Sequence, residues 1–242
     1  TTLFRSLLVA GVVVVVWYMR KKREFLRQRF FQQINRVRME NLRSRISPHF
    51  TFNVLGREIN QFNGSEEVKH NLMELVKYLR RSLELTEKLS VSLQDELDFV
   101  RTYIELERGR VGEDFVATIT VEDGLDATRI MIPSMIVQIP VENAIKHGLA
   151  GKDGKKELMV YVSRETNGIR ITVTDNGRGY LPQVVSATRG TGTGLKVLYQ
   201  TIQLLNTKNK SDKIRFNITN RSDGQTGTEV SVYIPFRFSY DL

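Results

Sequence analysis

The chain has 242 residues, enough for a membrane segment and one or two small domains, with three histidines and no cysteine. Disulfides and thiolate metal centres are therefore excluded, and three scattered histidines argue against a multi-histidine metal site. The formal charge of +9 is local. Residues 20–45 hold ten Lys/Arg and two Glu, Arg5 supplies the remainder, and residues 46–242 sum to zero, so no nucleic-acid partner is expected.

Leu3 to Tyr18 is almost wholly apolar, with valine at every position from 12 to 16, then Trp17-Tyr18 and the cations Arg20 to Arg23. Hydrocarbon core, aromatic belt and positive flank in that order predict a transmembrane helix over residues 1–19, with the cations on the cytoplasmic side. Its opening on Thr suggests a chain that continues upstream. A signal peptide would instead show small residues at a cleavage site, and a buried helix would not end in four cations. Residues 20–45 read as a charged juxtamembrane helix. Phe30, Ile34, Val37 and Asn41 form a short seam that either pairs two copies or belongs to a helix lying on anionic lipid.

Ile46-Ser47-Pro48-His49-Phe50-Thr51-Phe52-Asn53 marks a helix bend or restart, because Pro48 fixes φ and lacks a donor and Ser47 can cap. Phe52, Leu55, Ile59 and Phe62 then form an apolar stripe. His49, Asn53, Gly56 and Asn60 form a second, polar one with a gap at Gly56. These residues alone fit a surface histidine beside a kink, or a histidine oriented by its neighbours with room in front. After a turn at Asn63-Gly64-Ser65, Val68, Leu72, Leu75, Val76, Leu79 and Leu83 mark a second amphipathic helix. Residues 46–90 thus predict a helical hairpin whose apolar face is covered by pairing into a four-helix bundle in a homodimer.

Ser92 opens a helix with Leu93, Leu97, Val100 and Ile104 in register, expected to end near Gly109. Alternation then predicts a strand over 115–121 and a short β-like run over 129–132 ending at Pro133. A helix is expected from about Ser134 to His147, and strands over 158–163 and 169–174 joined at Asn167-Gly168. A helix from about Gly194 to Asn206 and strands over 214–219 and 229–234 complete the chain. Residues 91–242 are expected to form one α+β domain, a sheet covered by helices on one face.

Three pieces of this domain carry chemistry. Glu142, Asn143, Lys146 and His147 share a face at a helix end, placing a carboxylate, an amide oxygen and a cation side by side, as a Mg²⁺–polyphosphate requires. Asp175-Asn176-Gly177-Arg178-Gly179 follows a strand. Its carboxylate suits an adenine amino group, and its glycines permit close backbone approach. Gly190-Thr191-Gly192-Thr193-Gly194 exposes amides at a helix start, which favours anions. Each piece alone is weak, since Asp-Asn-Gly is a common turn and a glycine-rich loop is often a plain connection. Their order is specific. No Gly-Lys-Ser/Thr follows the glycines, and the strands do not alternate with helices, so neither a Walker loop nor a dinucleotide fold fits.

The three pieces resemble the N, G1 and G2 boxes of the GHKL ATP-binding fold, an α/β sandwich. Ile46–Asn53 resembles the phosphoacceptor box of LytS-type sensor histidine kinases. Tyr103 to Arg110 and Pro133 to Gly148 resemble further segments of that family, so the likeness spans about residues 40–235. The resemblance implies ATP and Mg²⁺ as cofactors and a separate response regulator as partner. It also implies a place in the cytoplasmic (inner) membrane with the catalytic part in the cytoplasm. His49 would accept the γ-phosphoryl group and Asn53 would orient its ring. Asn143 would bind Mg²⁺, with Glu142 acting on the metal's water shell or the reaction geometry. Lys146 and His147 would face phosphates, and Asp175 would bond the adenine amino group in a pocket shaped by Gly177 and Gly179. Gly192 and Gly194 would border the lid, and Thr228 would help hold the adenine through water. Departures from the family pattern are Ser47, Thr51, Phe50 in place of an acid after the histidine, Lys196, and a short lid. A GHKL ATPase of another class would explain the three boxes but not Pro48-His49-Phe50. A catalytically weak signalling scaffold would sit ill with intact His49, Asn143 and Asp175.

Overall fold

The computed structural model describes residues 88–180, 193–207, 209 and 211–240, with helical positions at 13–22, 24, 25, 29, 74, 75, 77–82, 84 and 85. His49, Asn53, Gly192 and the first helix of the expected hairpin lie outside the described residues, as does the apolar run up to residue 12. Among the described residues no helix is long and apolar enough to cross a membrane.

Strand β1 (Ser90–Ser92) leads directly into α1 (Leu93–Val111). Ser92 caps that helix by accepting the Asp95 N–H at 3.0 Å, a contact worth about 1 kcal/mol. The helix outlasts Gly109 by two residues. It stops at Gly112, whose φ of 114° leaves the helical region and whose N–H donates to the Arg108 carbonyl. Strand β2 (Phe115–Val121) follows, then β3 (Met131–Pro133), which pairs antiparallel with β1 as a separate two-stranded ribbon.

The expected helix from Ser134 to His147 is instead three pieces. Ser134–Val137 is a turn, with Met135 at φ 70°. Helix α2 (Gln138–Asn143) is short, and Ala144–Gly148 widens into a π turn closed by the Leu149 N–H on the Ala144 carbonyl. Strands β4 (Lys156–Glu165) and β5 (Gly168–Asp175) form a hairpin, α3 (Thr193–Asn206) follows, and β6 (Arg215–Asn220) and β7 (Thr228–Pro235) complete a mixed sheet ordered β2-β4-β5-β7-β6. Among the described residues only β2 and β4 pair in parallel. Val160, Val162, Ile171, Val173, Val232 and Ile234 fill the inner face against Leu97, Val100, Ile139, Ile145, Leu198 and Ile202 of the helices. The outer face stays open, leaving Met159 and Tyr161 exposed. The domain is thus an α/β sandwich of two layers.

The helix around residues 74–85 lies on this domain. Tyr78 stacks on Phe99 with ring centroids 4.9 Å apart, and Ser134 Oγ donates to the Leu85 carbonyl.

Candidate functional site

Side chains alternate along a strand, so Ile171, Val173 and residue 175 share the inner row of β5. The first two are apolar core, and the third is an aspartate at the strand's end, 3% exposed. The Asp175 carboxylate is held by backbone. Its Oδ1 accepts the Gly177 N–H at 2.8 Å and the Thr228 N–H at 3.4 Å. Burial raises its pKa above the ordinary carboxylate value, against the lowering effect of those hydrogen bonds.

Glycines make this enclosure possible. A Cβ at Gly148 would fall 2.7 Å from Asp175 Oδ1, one at Gly177 would fall 2.0 Å from the Gly148 carbonyl oxygen, and one at Gly227 would fall 1.9 Å from the Asp175 carbonyl oxygen. The π turn, the loop after β5 and the start of β7 therefore touch backbone to backbone around one carboxylate. Arg178 locks two of them together: its Nε donates to the His147 carbonyl at 2.9 Å and its backbone N–H to the Gly148 carbonyl at 3.3 Å. Gly179, at φ 85°, turns the chain away past Asn220, whose side-chain oxygen accepts the Tyr180 N–H.

Asn143 ends α2. Its amide nitrogen donates to the Ile139 carbonyl at 2.7 Å, so its side-chain oxygen is not the atom engaged in that contact, and the residue is half-buried. Lys146 and Glu142 form an ion pair at 2.5 Å, each more than two-thirds buried, so the lysine lies against its own helix. His147, half-buried beside Lys146 and Arg178, has its pKa pushed below the ordinary imidazole value, mainly by burial and then by those cations. Gly194 lies in the first turn of α3 and Thr228 beside Asp175.

The structure therefore brings together Asp175, Gly177 and Thr228, with His147 and Gly148 across from them through Arg178. Glu142, Asn143 and Lys146 occupy the adjoining α2 and π turn. Gly227, Arg178 and Asn220 belong to this arrangement although the sequence reading gave them no role. The close Gly227–Asp175 contact joins positions more than fifty residues apart, which local spacing does not reveal.

Among the described residues no three His, Asp or Glu side chains gather to hold a metal. The Asn143 amide oxygen is a single neutral donor. It fits a hard divalent cation whose other ligands are phosphate and water, and not a cage made of protein alone.

The depressed His147 pKa has a pH consequence. The unfolded chain binds this proton more readily, so the stability gained by keeping the ring neutral is full above about 6.5 and is lost as pH falls through the lower folded value. His147→Gln is expected to flatten the fall in melting temperature below pH 6.5, measured by thermal unfolding at a series of pH values.

Two family models match the chain: "Histidine kinase" over residues 37–115 and "Histidine kinase-, DNA gyrase B-, and HSP90-like ATPase" over residues 128–237. The sensor histidine kinase YpdA of Escherichia coli is 28% identical over 205 residues, which cover 84% of this chain and 35% of that protein. The sensor histidine kinase/phosphatase LytS of Staphylococcus aureus is 32% identical over 197 residues, 78% of this chain and 33% of that protein. A solved histidine kinase domain from Erythrobacter litoralis aligns with a TM-score of 0.47 at 15% identity, covering 85% of this chain and 94% of that one. The chain spans about a third of the length of the two curated relatives.

Proposed function

Because the chain belongs to the histidine kinases of LytS type, we propose that it takes the γ-phosphoryl group of ATP onto His49 and passes it to an aspartate of a separate response regulator. The observation that carries this reading is the Asp175 carboxylate, buried at a strand end and ringed by the backbone of Gly148, Gly177 and Gly227. Its Oδ1 holds the Gly177 and Thr228 N–H groups, and a carboxylate at the end of an otherwise apolar inward row can in addition accept from an adenine amino group.

In this reading Asp175 accepts the adenine N–H, and Gly177, Gly179 and Thr228 shape the pocket edge. Asn143 is the protein ligand for Mg²⁺, which when bound neutralises charge on the β- and γ-phosphates. Glu142 acts beside it and holds Lys146 by their ion pair. Lys146 and His147 border the phosphate path, and Gly192 and Gly194 line the lid. Transfer itself is chiefly positioning. The lone-pair nitrogen of His49, oriented by Asn53, attacks the γ-phosphorus. An N–P bond forms, the bond to the bridging oxygen breaks, and ADP leaves with the electron pair. Imidazole is neutral near pH 7 and carries its own lone pair, so no acid is needed after the histidine, where Phe50 stands.

The apolar run to Tyr18 and the cations after it anchor the chain in the inner membrane with the kinase part in the cytoplasm. Residues 20–45 relay the signal, residues 46–90 pair two chains through the hairpin, and residues 91–242 supply the nucleotide site. The test is incubation of the chain with γ-labelled ATP and Mg²⁺. Label on the protein that is lost in acid and kept in base supports a phosphoramidate. Phosphate released with no labelled protein identifies an ATPase instead, and bound nucleotide with neither product identifies a scaffold.

A further inference from the structure

We propose that Glu96 is a positioning residue that sets the placement of Asn143 by clamping the start of α2. This rests on the kinase reading for Asn143's role, and on geometry for the clamp itself. Glu96 sits in the first turn of α1, fully buried. Its Oε2 accepts the Met135 N–H at 2.9 Å, and its Oε1 accepts the Val137 and Gln138 N–H groups at 3.1 and 3.2 Å. The Gln138 N–H is one of the donors that a helix N-terminus leaves without an intrahelical partner, and the Met135 and Val137 N–H groups belong to the turn that leads into it. The N-cap residue Val137 supplies no side-chain cap of its own. A carboxylate from another helix does this work, and its charge also suits the positive end of the helix.

The clamp adds to the few backbone bonds of the turn, among them Ile136 N–H to the Pro133 carbonyl and Ile139 N–H to the Met135 carbonyl. Met135 lies at φ 70°, a left-handed backbone region unfavourable to a non-glycine residue, and its N–H is one of the three that Glu96 accepts. The far end of the segment is fixed separately, where Arg178 binds the His147 and Gly148 carbonyls. Asn143 lies between the two anchors. Releasing the Glu96 end frees α2 to shift while the Arg178 end keeps the Asp175 pocket closed. Glutamine cannot substitute: both carboxylate oxygens accept, and an amide would turn N–H donors toward a backbone N–H.

The test compares parent and Glu96→Gln in the whole chain, at a temperature where circular dichroism shows both folded. The labelling rate with Mg²⁺ and ATP is expected to fall about 10- to 100-fold, the scale of a small misplacement at a reacting centre. ADP affinity without metal should stay within about 3-fold. Amide exchange across residues 138–143 should accelerate at least about 10-fold, with that across 168–175 unchanged, as local opening of one segment requires. Should Glu96→Gln not fold, Glu96→Asp, which keeps the charge but reaches less far, is read for the same split. Rate and ADP affinity falling together would mean a general structural role and overturn the proposal, as would parental rate or parental exchange in the variant. If the parent itself gives no label, the kinase reading fails, and the exchange measurement still decides the clamp.

Discussion

Replacing His49 with glutamine is expected to remove all acid-labile label from the chain while leaving ATP binding unchanged. A phosphoramidate hydrolyses in acid and survives base, whereas a phosphoserine ester does the opposite, so the linkage identifies its own acceptor. His70 falls in the sequence stretch expected to form the hairpin, and His147 in the proposed nucleotide site, half-buried with its backbone carbonyl held by Arg178. Neither is expected to take over. Mixing this variant with an Asn143→Ala chain gives a second readout: label on the Asn143→Ala chain means transfer across a dimer. Acid-stable label, or full labelling of the glutamine variant, would sink the assignment of His49.

Loss of the Asp175 carboxylate is the second large effect. Asp175→Ala is expected to weaken ATP about 10- to 150-fold, equivalent to about 1.5–3 kcal/mol for a hydrogen bond to a charged group. Titration calorimetry on the folded variant measures it, and unchanged affinity would remove adenine from this pocket. The apo protein should respond in the opposite sense. Burial raises the Asp175 pKa, so the folded chain keeps this proton to higher pH than the unfolded one. Its contribution to apo stability is then full below the unfolded value and lost as pH rises through the folded one. At neutral pH the charged form is held at a cost. Asp175→Asn keeps an oxygen for the Gly177 and Thr228 N–H groups but carries no charge, so it should melt higher without nucleotide and bind ATP more weakly.

Much of this was legible in the chain because the informative signals were short-range. Strand β2 follows from alternation over Phe115–Val121, and Asp175-Asn-Gly follows from a strand meeting a turn. Signals that span the fold were not. Glu96 looks like an ordinary first-turn acid, because the amides it holds lie 39 to 42 residues on. Periodicity allowed one helix from Ser134 to His147, since the left-handed turn at Met135 and the widening at Ala144–Gly148 preserve the apolar spacing while changing the path. Strand β1 is three residues long, too short for a pattern. The nucleotide cluster was expected as one helix face, and the Glu142–Lys146 pair keeps part of that face intact across the π turn.

The parallel pairing of β2 with β4 has a consequence for the order in which the domain is made. Strands β4 and β5 meet across a two-residue turn and can zip early, at small entropic cost. A parallel partner cannot be reached by a hairpin, so β2 joins only when the chain between Val121 and Lys156 has closed on itself. That crossover contains β3, the Met135 turn, α2 and the π turn. The segment carrying Asn143 is thus enclosed by the slower, longer-range closure. A chain emerging from the ribosome presents the residues of β2 well before those of β4, so α2 is expected to wait for its sheet. On the proposed function, the ATP site is then expected to be completed late in folding, after the hairpin that carries Asp175 has formed.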